Sequence, residues 1–250
     1  MVYLKKETCF VTGSSSGIGY EIAKKIIESG NHVIINGTNK KKLITAQKKL
    51  KHTDIFLGDL TKDSSLDKLE KFLTKKKIKI KYLVCNIGGG KPKSINYDSN
   101  IQEWIRFFEL NFWSTVKVIL RLKKYMQKNK ASIVCISSIC GIEYIKDAPI
   151  AYSVAKSSLN SFIKFYSHSQ GDFKINGIAP GNIYFKTSSW AKKLKSNKRK
   201  IISFLQENVP LARFGDTEDV ANLAVYLLSN KAKFINGSVF VVDGGQTRSL

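Results

Sequence analysis

Long apolar runs are missing from this sequence. Nowhere do hydrophobic residues continue for the ~18 positions that a membrane-spanning helix needs. The opening stretch, MVYLKKETCFVTG, carries no signal-peptide core and passes straight into a strand-like run. A cytoplasmic protein without a membrane partner is expected. Cysteine is scarce, and the four present (Cys9, Cys85, Cys135, Cys140) are scattered with no CxxC spacing. Neither a metal site nor a disulfide framework is therefore expected. Three of them lie in apolar strand-like runs and Cys140 follows one, which reads as buried free thiols. Acid is short as well, with 19 Asp and Glu against 42 Lys and Arg, a net charge of +23. That excess raises nucleic acid as a partner. Only five of the 42 basic residues are arginine, leaving 37 lysines. A surface built for bidentate contacts favours arginine. The lysines therefore read as solvated helix faces, and no nucleic-acid partner is expected.

What is present is alternation. Apolar β-rich runs (CFVTG, HVIIN, DIFLGD, KYLVCN, SIVCIS, FKINGIAP, SVFVVDGG) are separated by helical patterns. Seven such strands with helices between them predict a doubly wound parallel sheet in three layers, α/β/α, with ligands at the carboxyl ends of the strands. The 250 residues suit one domain spanning 1–250. A single irregular insertion stands out at 184–208, rich in Lys and Ser. A long segment leaving the sheet at its carboxyl edge reads as a mobile substrate lid. Lys186, Lys192, Lys193, Lys195, Lys198, Arg199 and Lys200 would make it attractive to an anionic substrate. A plain solvated lysine face has the same appearance.

Several pieces fall at strand ends. In VTGSSSGIG, Gly13, Gly17 and Gly19 allow a tight turn and close approach of a pyrophosphate at a helix N-terminus. The second strand ends at Gly37 and Thr38, where a carboxylate would bind ribose hydroxyls and repel a 2′-phosphate. No acid is near, and Thr38 with Lys40–Lys42 is placed to accept a phosphate, so NADP(H) is expected over NAD(H). Asp59 ends the third strand, as an adenine acceptor or a solvated loop residue. CNIGGG ends the fourth, with Asn86 bonding backbone around its glycines. Asn111 lies inside a long helical pattern, where asparagine is unfavourable, among apolar neighbours that suggest burial. Ser138 ends the fifth strand.

YSVAKSS, at 152–158, sets Tyr152 and Lys156 on one helix face. Chance provides about 1.5 such Tyr–Lys spacings for this composition, and the chain has two, the other being Tyr20–Lys24. Context separates them. Tyr152–Lys156 follows a serine-ended strand, whereas Tyr20–Lys24 lies in the first helix beyond the glycine turn. A nearby ammonium favours phenolate and would make Tyr152 a usable acid–base group.

These pieces, with NGIAPG at 176–181, PLARFGDTEDVANLAVYLLS at 210–229 and INGSVFVVDGG at 235–245, resemble the short-chain dehydrogenase/reductase family over the whole chain in order and spacing. The tail stretches are similar to those of 3-oxoacyl carrier-protein reductases and sugar or polyol dehydrogenases. The resemblance implies a Rossmann-type fold and an NAD(P)(H)-dependent oxidoreductase acting on a carbonyl or secondary alcohol of a small-molecule substrate, with anionic and sugar-type substrates among the candidates. A 3-oxoacyl thioester reductase is the alternative, and a non-catalytic cofactor-binding regulator is an alternative of another class. It further implies Tyr152 as proton donor and acceptor, Lys156 on the nicotinamide ribose, Ser138 on the substrate oxygen and Asn111 holding a relay water. Cofactor contacts would come from Gly13, Ser15, Ser16, Gly17, Ile18, Gly19, Gly37, Thr38, Asp59, Leu60, Asn86, Gly88, Tyr152, Lys156, Pro180, Gly181 and Ile183. Three departures from the pattern stand out. Ser138 and Tyr152 are 14 positions apart, one more than usual, so the loop between should bulge. Phe185 stands where a threonine is usual, and Ser16 where NADP-dependent members often have a basic residue. Helices 101–128 and 152–170 carry excess apolar residues (Trp104, Phe107, Phe108, Phe112; Phe162, Phe165, Tyr166), which predicts a homo-oligomer of two or four subunits.

Overall fold

Strands β1 (Thr8–Val11), β2 (His32–Gly37), β3 (Thr53–Leu57), β4 (Tyr82–Cys85), β5 (Ala131–Ile136), β6 (Phe173–Pro180) and β9 (Val239–Val242) form one parallel sheet. Their order is β3-β2-β1-β4-β5-β6-β9. The computed structural model describes residues 7–51, 53–93, 100–126, 131–169 and 173–249. The chain winds from β1 outward to β3, then crosses back to β4 on the other side of β1. The reversal opens a crevice beyond the carboxyl ends of β1 and β4, where such sheets bind ligands.

The strands are apolar on both faces because both are covered. Cys9 and Val11 of β1 point to one layer with Val84 and Val134. There they meet Ile22 and Ile26 of α1 (Gly17–Glu28), Leu43 of α2 (Lys40–Leu50) and Val220 and Ala224 of α9 (Thr217–Leu228). Phe10, Leu83, Cys85 and Cys135 point to the other. That layer holds Leu66, Leu69 and Leu73 of α3 (Asp63–Lys75), Ile119 and Leu122 of α5 (Ser114–Leu122), and Leu159 and Ile163 of α6 (Ile150–Ser169). Each buried aliphatic or aromatic side chain contributes about 1.5–3 kcal/mol, so two filled interfaces hold the three layers together. All four cysteines are free, with Cys140 only partly buried. Among the described residues no helix is long and apolar enough to cross a membrane.

Three expectations change. The helical pattern from Ile101 is not one helix: α4 (Ile101–Phe108) passes through a π-helical turn (Glu109–Trp113) into α5. Segment 184–208 is not irregular. After the short β7 (Ile183–Tyr184), which pairs with β8 (Gly215–Asp216), it forms α7 (Ser189–Ser196) and α8 (Lys198–Asn208). Trp190 joins these helices by stacking on Phe204 at 5.7 Å and meeting Phe214 at 5.3 Å. The exposed apolar residues also differ in part from those expected, although Phe165 is exposed as expected. Phe107 and Tyr166 are buried, and Phe112 and Phe162 pack against the core. Ile101, Ile105, Trp113, Leu120, Val154 and Phe165 carry the exposed apolar surface of these helices. Positions 127, 128 and 170 lie outside the described residues.

The carboxyl ends of β1, β2 and β3 are joined by one side chain that the sequence reading missed. Asn36 is fully buried; its Nδ2 donates to the carbonyls of Phe56 (3.1 Å) and Gly58 (3.0 Å), and its Oδ1 accepts from Gly13 N (3.2 Å). Asn36→Ala leaves three backbone groups without a partner. Urea unfolding should show a loss of about 3 kcal/mol, the low end for several orphaned groups. A loss below about 0.5 kcal/mol, the usual size of a neutral surface change, would show that water replaces these bonds.

Candidate active site

The glycine turn between β1 and α1 is built for close approach. Gly13 and Gly17 have φ of +59° and +63°, a region that disfavours side chains. A Cβ on Gly19 would lie 2.8 Å from Gly13 O and collide with the Asn86 carboxamide. Asn86 donates from Nδ2 to Gly13 O (2.9 Å), and its N–H bonds Thr12 Oγ1 (2.9 Å), tying the end of β4 to the turn. Ser14 caps the same corner, accepting from Asn36 N (2.9 Å) and donating to Val11 O (2.6 Å). Ser16 is the N-cap of α1 but makes no side-chain cap bond, and the first turn holds no acid. The leading N–H groups of α1 therefore face outward as donors, a favourable place for a pyrophosphate. Ser15, Ser16 and Ile18 border this turn, as expected from their positions.

Gly37 packs under Ser15, since a Cβ there would lie 3.3 Å from Ser15 Oγ. Thr38 and Lys40–Lys42 are exposed beside it. Asp59 is exposed, and its Oδ1 accepts from Thr61 N (3.1 Å) and Thr61 Oγ1 (2.8 Å). Leu60 is wholly buried in the core, so only its backbone can face a ligand. At the far side, Pro180 ends β6, Gly181 N donates to Val242 O (2.9 Å), and Ile183 packs in the core. The Phe185 ring rests on Gly17, 2.9 Å from where a Cβ would sit, and so covers the glycine turn. Its bulk replaces the polar contact that a threonine would offer.

The catalytic candidates converge from three elements. Ser138 follows β5, and its Oγ caps a 3-10 turn (Ile139–Gly141) by accepting from Cys140 N (3.2 Å). Tyr152 and Lys156 rise on one face of α6, and the Ser138 hydroxyl lies close enough to that of Tyr152 to influence its ionisation. The Phe107 ring meets Tyr152 edge-on at 6.3 Å. Lys156 is 2% exposed, and its Nζ donates to Ile136 O at 2.8 Å. Asn111 sits in the π turn and closes the site from above. Its Nδ2 donates to Gly89 O (2.9 Å) and Phe107 O (3.0 Å), and its Oδ1 accepts from Gly89 N (2.9 Å). Both N–H groups of the carboxamide are thereby engaged, so a relay water would have only the second lone pair of Oδ1 or the main chain. Gly88 lies against both groups, as a Cβ there would be 3.0 Å from Asn111 Oδ1 and 3.1 Å from Lys156 Nζ. Between Ser138 and Tyr152 the chain forms the 3-10 turn and then a loop with Asp147 at φ +64°. By contrast, Lys24 pairs with Glu21 at 2.8 Å on the outside of α1, away from this cluster.

Electrostatics here run against one expectation. Burial raises the Tyr152 hydroxyl well above its ordinary value, the neighbouring Cys140 adds to this, and the nearby Ser138 hydroxyl opposes it. The Lys156 ammonium is turned to the Ile136 carbonyl, and burial is the dominant influence on Tyr152. Burial brings Lys156 itself down to about 8, partly offset by Cys135 and Cys140. An ammonium has three donors, and with one on Ile136 O two remain for ligand hydroxyls. The open donors of α1, the glycine cradle and this half-satisfied lysine fit a nicotinamide dinucleotide laid across the carboxyl edge.

Comparison with known proteins agrees. The family model described as Enoyl-(Acyl carrier protein) reductase matches residues 13–247. The chain belongs to the short-chain dehydrogenase/reductase family. It is 30% identical over 256 residues to the 3-oxoacyl-[acyl-carrier-protein] reductase FabG of Rickettsia felis, covering 98% of each chain. It is 26% identical to the 7alpha-hydroxysteroid dehydrogenase of Escherichia coli strain K12, covering 99% of this chain and 96% of that one. The L-sorbose reductase of Gluconobacter frateurii, solved with NADPH and L-sorbose, superposes with a TM-score of 0.90 at 26% identity over 99% of both chains. The chain is thus a short-chain dehydrogenase/reductase, acting on a CH–OH or C=O group with a nicotinamide cofactor.

The buried lysine has a measurable consequence. Its folded-state value, about 8, lies below its ordinary 10.5, so the unfolded chain holds that proton more tightly. Burying the charge therefore costs stability below pH 8, and the cost fades as pH rises toward about 10.5. In urea unfolding of the ligand-free protein, the stability of wild type minus that of Lys156→Met should rise between about pH 7.5 and 9.5. A difference that stays flat would mean that the lysine is not depressed.

Proposed function

We propose that the chain reduces a carbonyl to a secondary alcohol, with Tyr152 delivering the proton. The observation that carries this is the hydroxyl pair of Tyr152 and Ser138 at the carboxyl edge, with Lys156 buried beneath it and the glycine turn alongside. A bound nicotinamide dinucleotide supplies the hydride. Ser138 holds the carbonyl oxygen, and Tyr152 passes its hydroxyl proton to that oxygen as the carbon is reduced. Lys156 holds ribose hydroxyls with its two open donors, and Asn111 anchors the loop over the site. Gly13, Gly17, Gly19 and the start of α1 cradle the pyrophosphate.

NADP(H) is the favoured cofactor, resting on the absence of an acid at Gly37–Thr38 and on the exposed lysines of α2. The NADPH in the sorbose reductase is consistent with it. The Phe185 ring must yield room over Gly17 to a pyrophosphate, so segment 184–208 moves as a lid on binding. Its seven basic residues are all exposed, which supports an anionic or sugar-type substrate. A second reading, 3-oxoacyl thioester reduction, is favoured by the FabG relative. The exposed apolar residues of α4, α5 and α6 support an assembly of two or four subunits. Unpaired thiols support a cytoplasmic location.

Activity is expected in a panel of ethyl acetoacetate, acetoacetyl-CoA and L-sorbose followed by NADPH absorbance, and the preferred member separates the two readings. Tyr152→Phe should lower turnover at least ~10²-fold with NADPH binding retained, whereas Tyr20→Phe should be silent. Equal activity in both variants would remove Tyr152 from the proposed role. Fluorescence titration should give tighter binding of NADPH than of NADH, and tenfold tighter NADH binding would reverse the cofactor assignment.

A further inference from the structure

Asn160 lies on α6 four residues beyond Lys156, on the face that carries Tyr152. Its Oδ1 accepts from Ser137 Oγ at 2.5 Å, and its Nδ2 donates to Gly141 O at 3.0 Å. Those two partners bracket the short turn that presents Ser138. The near end of the turn is already held to the sheet, because Ser137 N donates to Ile178 O at 2.7 Å. The far end presses on the helix: a Cβ on Gly141 would lie 2.6 Å from the Lys156 carbonyl carbon and 2.8 Å from Ser157 N. Three successive levels of α6 thus reach the same stretch of chain. Tyr152 meets Ser138, Lys156 meets the Ile136 carbonyl, and Asn160 meets Ser137 and Gly141.

We propose that Asn160 is a positioning residue for the reaction, a two-ended clamp that sets the Ser138 hydroxyl against that of Tyr152. This rests on the proposed roles of Ser138 and Tyr152. The carboxamide suits the task because it accepts at one end and donates at the other. A hydrophobic residue would take away the donor to the Gly141 carbonyl and leave the Ser137 hydroxyl only its long bond to Lys156 O at 3.5 Å. A displacement of the Ser138 oxygen matters because small misplacements of groups around the reacting atoms cost large factors in rate.

The test uses the full-length protein with NADPH and ethyl acetoacetate, and it has a readout that needs no substrate. Cys140 lies inside the clamped turn and is partly buried, while Cys9, Cys85 and Cys135 are buried in the sheet. Labelling with a chromogenic aromatic disulfide therefore reports on the turn. Asn160→Ala should speed Cys140 labelling roughly tenfold through local opening. It should lower kcat about tenfold, while KM and the NADPH dissociation constant stay within about twofold. Asn160→Asp keeps the acceptor for Ser137, but when ionised it offers no donor to Gly141. Its deficit against wild type should narrow as the pH falls toward about 5 and the carboxyl gains a proton. Unchanged labelling in both variants overturns the proposal, and so does a parallel loss of kcat, cofactor binding and melting temperature. Tyr152→Phe separates the two levels: if it stays active, the proposed roles fail and the clamp with them. If Tyr152→Phe is inactive while Asn160→Ala behaves as wild type, only the clamp fails.

Discussion

The ammonium of Lys156 donates to the last carbonyl of β5, Ile136 O, from a position almost closed to solvent. Removing a charge from water costs several kcal/mol even after relaxation, and no carboxylate is positioned to offset it among the partners that shift this lysine. The surrounding architecture accommodates the cost. Gly88 leaves space beside Nζ, Gly141 lets the serine-bearing turn lie on the helix backbone, and α6 packs through Leu159 and Ile163 into the core. A site that keeps a charge in so dry a place is shaped by its ligand rather than by stability.

Asparagine is the recurring fastener of this edge. Asn36 joins the ends of β1, β2 and β3, and Asn86 joins β4 to the glycine turn. Asn111 holds the loop after β4, and Asn160 the turn after β5. Asn176, inside β6, donates to Ile235 O (2.8 Å) and accepts from Ser238 N (3.1 Å), fixing the entry to β9. A neutral carboxamide offers donors and an acceptor without the desolvation cost of a charge. It can therefore satisfy irregular backbone where the sheet ladder stops. Loops held in this way present Ser138 and the glycine turn beside Tyr152 of α6, while the helical segment 184–208 packs on Phe214 through Tyr184 and Trp190 and reaches the glycine turn through Phe185.

The alternation of apolar runs and helical patterns was enough to determine seven parallel strands and two covered faces, because a strand buried on both sides has to be apolar throughout. Spacing located the glycine turn, Ser138 and the Tyr152–Lys156 face, since those depend on positions within one strand end or one helix. Tertiary structure alone decided the rest. Whether Asn111 would interrupt its helix depended on Gly89, which lies 22 residues away. The states of Tyr152 and Lys156 followed mainly from burial, so their spacing suggested an acidified tyrosine where desolvation produces the opposite. Asn36 and Asn160 were visible only as polar residues in an apolar strand and on a half-buried helix. Their partners come from other elements, and local sequence carries no information about which distant backbone group is left without a hydrogen bond.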